Sequence, residues 1–135
     1  MTKFESQIKA VPHPGEKIFN FLSDFDNFGE VLPQDKIKNW KSFGDHCTFE
    51  LDMVGEVGLR IVEKTPHNTI KFAAEGNTPV DFNLWVQIKE VEESDSRIKL
   101  TIKAEMNPMI KMVASGPIKK FLEILADGIA SHNYE

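Results

Sequence analysis

The side chains of this chain that could do chemistry are few and scattered. His13 lies between Pro12 and Pro14, His46 follows Gly44-Asp45, His67 sits in Pro66-His67-Asn68, and His132 is near the C-terminus. No two share the H-x-x-x-H spacing that sets paired imidazoles on one helix face, so no metal site is expected from them with the single cysteine, Cys47. His46 and Cys47 are adjacent, and adjacent side chains of a strand point to opposite faces. That geometry disfavours a Cys–His nucleophilic pair. Cys47 shares its face with Phe49 and Leu51 and reads as a packed core thiol.

Asp24, Asp26 and Glu30 gather where two short helices are expected. A carboxylate pair there could exchange protons, but helix ends also draw carboxylates as caps, and capping is the preferred reading. Glu50 and Asp52 stand two apart on the polar side of a strand, the usual place for solvated acids. Arg60 has two readings. It is a surface cation if the alternation Val57, Leu59, Ile61 holds, or an inward anchor for a ligand carboxylate if Gly55 and Gly58 make a bulge. Gly55-Glu56-Val57-Gly58 lacks the third glycine and the strand–turn–helix setting of a dinucleotide loop, and the chain has no G-x-S-x-G and no phosphate loop. The expectation is therefore no catalytic constellation, no metal and no cofactor. Trp85 falls among Asp81, Asn83 and Gln87 on the polar side of its strand, where neighbouring lysine stems can half-cover an indole.

These residues must be positioned by a chain of 135 residues, the length of one domain spanning 1–135. Its composition, 41% hydrophobic and 27% charged with ten phenylalanines, provides enough apolar surface for a core and excludes general disorder. Sixteen cationic and 21 acidic residues give a net charge of −5, and the sequence shows no dense basic run, so nucleic acid is not an expected partner. A lone cysteine, the lack of a secretory leader and the absence of any apolar run near 18 residues point to a cytoplasmic protein without integral membrane association.

Phe4, Ser6, Ile8 and Ala10 alternate with charged or amide residues and predict a strand that ends at Val11-Pro12-His13-Pro14-Gly15. Pro14 suits a first helical position, and Ile18, Phe21, Leu22 and Phe25 predict an amphipathic helix over 14–25. A second short helical turn runs through Phe28 and Val31 and is stopped by Pro33. Six strands follow, Ile37–Phe43, His46–Met53, Glu56–Glu63, Thr69–Glu75, Val80–Val91 and Arg97–Met106, separated by turn residues. The last element is a helix from Pro108 to about Ala130, in which Gly116-Pro117 predicts a kink or break. Ser131 to Glu135 read as a frayed tail.

This order resembles the START-like superfamily, also called SRPBCC or polyketide cyclase/dehydrase-like. The resemblance is carried by Phe4–Val11 followed by Pro14-Gly15-Glu16-Lys17-Ile18-Phe19-Asn20-Phe21-Leu22-Ser23-Asp24. At the other end it is carried by Pro108-Met109-Ile110-Lys111-Met112 and Phe121-Leu122-Glu123-Ile124-Leu125-Ala126. It implies an α+β helix-grip fold, a seven-stranded antiparallel sheet wrapped around the long C-terminal helix with two short helices after the first strand. It also implies a cavity between sheet and helix, which members of the family use for lipids, sterols, polyketides, plant hormones or quinones. The family has no common catalytic motif, so no active residue carries over.

Alternation sends Phe49, Leu51, Met53, Leu59, Phe72, Leu84 and Val86 inward, and helical spacing turns Met109, Met112 and Val113 toward them. These ten are the expected walls of that cavity. The expected function is binding of a small apolar or amphipathic ligand of lipid, polyketide or aromatic type, by a monomer or weak dimer. A cyclase- or aromatase-type enzyme in the same cavity, and an interaction module like the family's chaperone activators, are the alternatives.

Overall fold

The computed structural model describes residues 2–32, 37–51, 55–76 and 80–134. Met53 and Pro33, both assigned roles from the sequence, lie outside the described residues. The strands are β1 (Thr2–Glu5), β2 (Lys9–Val11), β3 (Ile37–Ser42), β4 (His46–Leu51), β5 (Gly55–Thr65), β6 (Thr69–Glu75), β7 (Asp81–Glu92) and β8 (Asp95–Glu105). They form one antiparallel sheet in the order β1-β8-β7-β6-β5-β4-β3, with β2 also paired to β8. Since β1 and β2 share one place beside β8, the sheet is seven strands wide. The helices are α1 (Gly15–Leu22), α2 (Phe25–Phe28), which runs into a 3₁₀ turn at Gly29–Val31, and α3 (Pro108–Ser131). The architecture is the α+β helix-grip arrangement.

The opening strand is not continuous. Glu5 pairs with Thr101 and Lys9 with Ile98, so four steps along the first strand match three along β8 and one residue is extra. Ser6 holds the bulge in place. Its N–H donates to the Leu100 carbonyl at 2.8 Å, and its hydroxyl accepts from the Leu100 N–H at 2.9 Å. An inserted residue reverses the inward face. Ile8, expected inside, is accordingly 67% exposed, whereas Val11 is fully buried.

Pro14 serves as the N-cap of α1 rather than its first residue, and the Gly15 N–H donates to the Glu90 carboxylate at 2.9 Å. Asp24 caps α2, its side chain accepting from Asp26 N–H, which is the capping role expected of this acidic group. Phe25 and Phe28 are fully buried and meet Phe72 with ring centres 5.5 and 5.6 Å apart.

Two expectations about the C-terminus are corrected. Helix α3 runs unbroken through Pro117. The proline removes one hydrogen bond, to the carbonyl of Val113, and that residue lies in the exposed half of the helix where water can replace the lost donor. The tail is docked, not frayed. The Tyr134 hydroxyl donates to the Ile129 carbonyl at 2.6 Å, and its ring packs against Phe21, His13 and His132.

Candidate functional site

The inward faces of the strands and the middle of α3 enclose an apolar cavity of about 30 Å³. Phe49 and Leu51 come from β4, Val57 and Leu59 from β5. Val80 precedes β7, which adds Phe82 and Leu84; β8 adds Ile102, and α3 closes the space with Ile118 and Phe121. Phe49 and Phe121 stack across it, ring centres 5.9 Å apart and 23° from parallel. Every lining side chain is a hydrocarbon. A water molecule needs roughly 10–15 Å³ of such space and two or more polar partners, and this cavity offers the room without the partners.

Four expected wall residues, Phe49, Leu51, Leu59 and Leu84, meet here. Phe72 faces inward but is covered by Phe25 and Phe28 of α2, and Val86 is buried one inward position further along β7, opposite Ile70 and Leu100. The helix residues are corrected. Met109 is 78% exposed, Met112 85% and Val113 54%. At 1.5 Å rise per residue they stand about 8–14 Å before Ile118 along α3, and burial of that helix begins only at Ala114. Their apolar stripe was legible, but the distance at which the helix meets the sheet was not. Phe82 and Ile102 could have been found from the alternation that gave Leu84, whereas Ile118 and Phe121 required the placement of the helix.

Arg60 is not an inward anchor. It leaves the sheet on the outer side, where its Nε donates to Glu75 at 2.5 Å and its Nη1 to Asp45 at 3.1 Å. The bulge in β5 falls after it, between Ile61 and Glu63, and so does not turn it. Cys47 is fully buried opposite Leu59, and burial pushes its thiol up to about 12. Such a thiol stays protonated and is a poor nucleophile.

The histidines are spread over the molecule. His46 bonds Asp45 at 2.8 Å and stacks on Phe43, His67 meets Phe19, and His13 and His132 flank Tyr134. Among the described residues no group of three or more His, Cys, Asp or Glu side chains is placed to hold a metal ion. Asp26 accepts from the Ser42 hydroxyl at 2.5 Å, joining α2 to β3, and Glu50 is exposed. Asp52 lies outside the described residues.

No family model matches the chain. A 56-residue stretch is 36% identical to a probable dihydroneopterin aldolase 3 of Arabidopsis thaliana, covering 42% of this chain and only 35% of that relative's length. Solved structures match over nearly the whole chain. A norcoclaurine synthase point mutant of Thalictrum flavum, bound to a transition state analogue, superposes with a TM-score of 0.74 at 11% identity, covering 96% of this chain and 91% of that one. A START superfamily protein of Mycobacterium smegmatis gives 0.66 at 12% identity, with 95% and 94% covered. A conserved protein of Geobacillus kaustophilus gives 0.64 at 15%, with 96% and 95% covered. The chain has the START-like (SRPBCC) fold. Among its described residues no helix is long and apolar enough to cross a membrane.

Proposed function

We propose that this protein binds a small apolar or amphipathic molecule, of lipid, polyketide or aromatic type, between the sheet and α3. The observation that carries this reading is the all-hydrocarbon lining of the cavity, from Phe49, Leu59, Phe82 and Leu84 to Ile118 and Phe121. At about 30 Å³ the space as it stands admits no more than a water-sized object. Binding therefore requires Ile118 and Phe121, which lie in the packed half of α3 that begins at Ala114, to move outward. A wall without fixed polar groups selects by size and apolarity, so several related molecules should bind.

Binding without chemistry is favoured over a cyclase-type reaction, because the lining holds no acid, base or nucleophile and the nearby Cys47 thiol is held protonated. With its only cysteine buried, the protein needs no oxidising compartment, and we place it in the cytoplasm.

Native mass spectrometry and thermal shift against fatty acids, sterols, quinones and aromatic polyketides test the reading. A binder should raise the melting temperature of the wild type and lose affinity on Leu84→Lys or Ile118→Lys, each checked for folding. If no compound in the panel raises it, and the side chains around Phe49 and Phe121 stay in mutual contact in its presence, the cavity is packing space and the interaction-module reading takes over.

A further inference from the structure

Two serines at helix ends, Ser23 and Ser131, each turn their hydroxyl back to the carbonyl four residues earlier, to Phe19 at 2.6 Å and to Asp127 at 2.8 Å. Ser115, in the middle of α3, does not. Its Oγ is shut off from solvent and, alone among the buried side-chain polar atoms of the described residues, has no hydrogen-bond partner. A buried hydroxyl left unpaired costs stability, although the other two serines show a pairing that a helix offers it.

This hydroxyl is one step of a graded face. Lys111, Ala114, Ser115 and Ile118 recur at i, i+3, i+4 and i+7 of α3, a spacing that sets them on one side of the helix. Ala114 and Ile118 are buried, so this side is turned to the sheet. Going outward from the cavity, it carries first the hydrocarbon of Phe121 and Ile118. Ser115 follows about 4.5 Å further along the axis, and Lys111, which is exposed, about 6 Å beyond that.

The surroundings of Lys111 favour an anion. Between Glu105 and Glu123 the chain has no acid, only Lys111, Lys119 and Lys120, and the first turn of α3 lacks the carboxylate that a helix dipole favours there. Among the described residues no carboxylate is within salt-bridge distance of Lys111. The acids next in sequence to the cavity strands point elsewhere. Glu50 faces Glu56 and Asp81 faces Glu105, all four exposed and alternating with the inward Phe49, Val57, Phe82 and Ala104. They lie on the outer side of the sheet, away from α3. On α3 itself Glu123 accepts from the Gln7 N–H at 3.0 Å, and Asp127 pairs with Lys9 at 2.9 Å.

We propose that the ligand of this site is an apolar carboxylic acid, its body between Phe49 and Phe121 and its carboxylate on the Ser115 hydroxyl and the Lys111 ammonium. This rests on the reading of the space between sheet and α3 as a binding cavity and adds the polar end of the ligand. A carboxylate accepts from both groups and gives the unpaired hydroxyl its partner. The two together supply the anchor that Arg60, on the outer side of the sheet, does not. An alcohol with the same body satisfies Ser115 alone, and an amine meets the like charge of Lys111.

Isothermal titration of the full chain at neutral pH with decanoic acid, decanol and decylamine tests this. The acid should bind most tightly and the amine most weakly. Lys111→Gln should weaken decanoate by about tenfold and leave decanol within about twofold, whereas Lys120→Gln, on the opposite side of α3, should bind both as wild type. Ser115→Ala should weaken the acid and the alcohol alike without lowering the melting temperature of the free protein, because the hydroxyl it removes has no partner there. Equal binding of acid and alcohol by the wild type, or equal losses in Lys111→Gln and Lys120→Gln, overturns the proposal while leaving the apolar cavity a binding site. A lower melting temperature of Ser115→Ala with unchanged affinities makes the hydroxyl a structural group and overturns its part. If none of the three compounds binds, this proposal falls, and the cavity reading is then decided by its own wider panel.

Discussion

Gly128 of α3 and Val31 of the 3₁₀ turn meet backbone to backbone: a Cβ at Gly128 would stand 2.1 Å from the Val31 carbonyl oxygen. No real Cβ tolerates that separation, so the helix sits at this depth only because position 128 has no side chain. This contact fixes the end of α3 against the segment that follows α2.

Gly128→Ala should therefore cost about 1–3 kcal/mol by overpacking, despite the better helix propensity of alanine. Gly116→Ala is its counterpart. That glycine lies in the same helix with open space at the Cβ position, and alanine should add about 0.5–1 kcal/mol. Urea denaturation of the two variants checks both signs, and equal shifts would contradict the close approach.

Alkaline stability should depend on Cys47. Burial raises its thiol from 9.0 to about 12 in the folded chain, so the unfolded chain ionises first. The stabilisation is complete below pH 9.0 and is lost as pH rises toward 12, at about 1.4 kcal/mol per pH unit. Cys47→Ala should flatten this part of the stability–pH curve and cost roughly 1 kcal/mol at neutral pH. A thiol reagent that modifies native protein at pH 8 as fast as unfolded protein would refute the assignment.

The two halves of α3 should respond differently to charge. Met112→Lys places an ammonium where the side chain is 85% exposed and should change stability by less than about 0.5 kcal/mol. Ile118→Lys, at a cavity wall, buries a charge without a partner and should cost several kcal/mol. Thermal melts compare them, and equal losses would mean that the first turns of α3 are covered in solution.

Phe121→Ala should lower stability by about 3–5 kcal/mol and leave an enlarged hydrocarbon void between Phe49 and Ile118. Benzene or indole should then raise its melting temperature more than that of the wild type, since dry apolar cavities accept such molecules. Absence of any rescue would show that the sheet and helix collapse together when the ring is removed.

Much of the architecture was legible from local pattern. Alternation with turn residues located the strands of the meander to within about two residues, because side-chain period and Gly or Pro punctuation act over neighbours alone. The same reasoning placed Phe49, Leu51, Leu59 and Leu84 on the inner face and Cys47 in the core. It failed wherever the outcome depended on pairing between distant residues. The extra residue between Glu5 and Lys9 shows only against β8, and it alone decides that Ile8 faces water. Met109, Met112 and Val113 carry a proper helical stripe, yet which turns of α3 are buried is set by the Gly128–Val31 contact and by where the sheet ends. Pro117 cost the helix a hydrogen bond but did not break it, because packing from Ile118 to Ile129 outweighs one lost bond. The mixed charge of the outer face was hidden for the same reason: Glu63 comes opposite Lys71, and Lys103 opposite Lys3, only through strand register. Order and type of the elements could be read along the chain, because they arise from short-range sterics and periodicity. Depth, register and the shape of the cavity came from folding, because they depend on contacts between residues far apart in the chain.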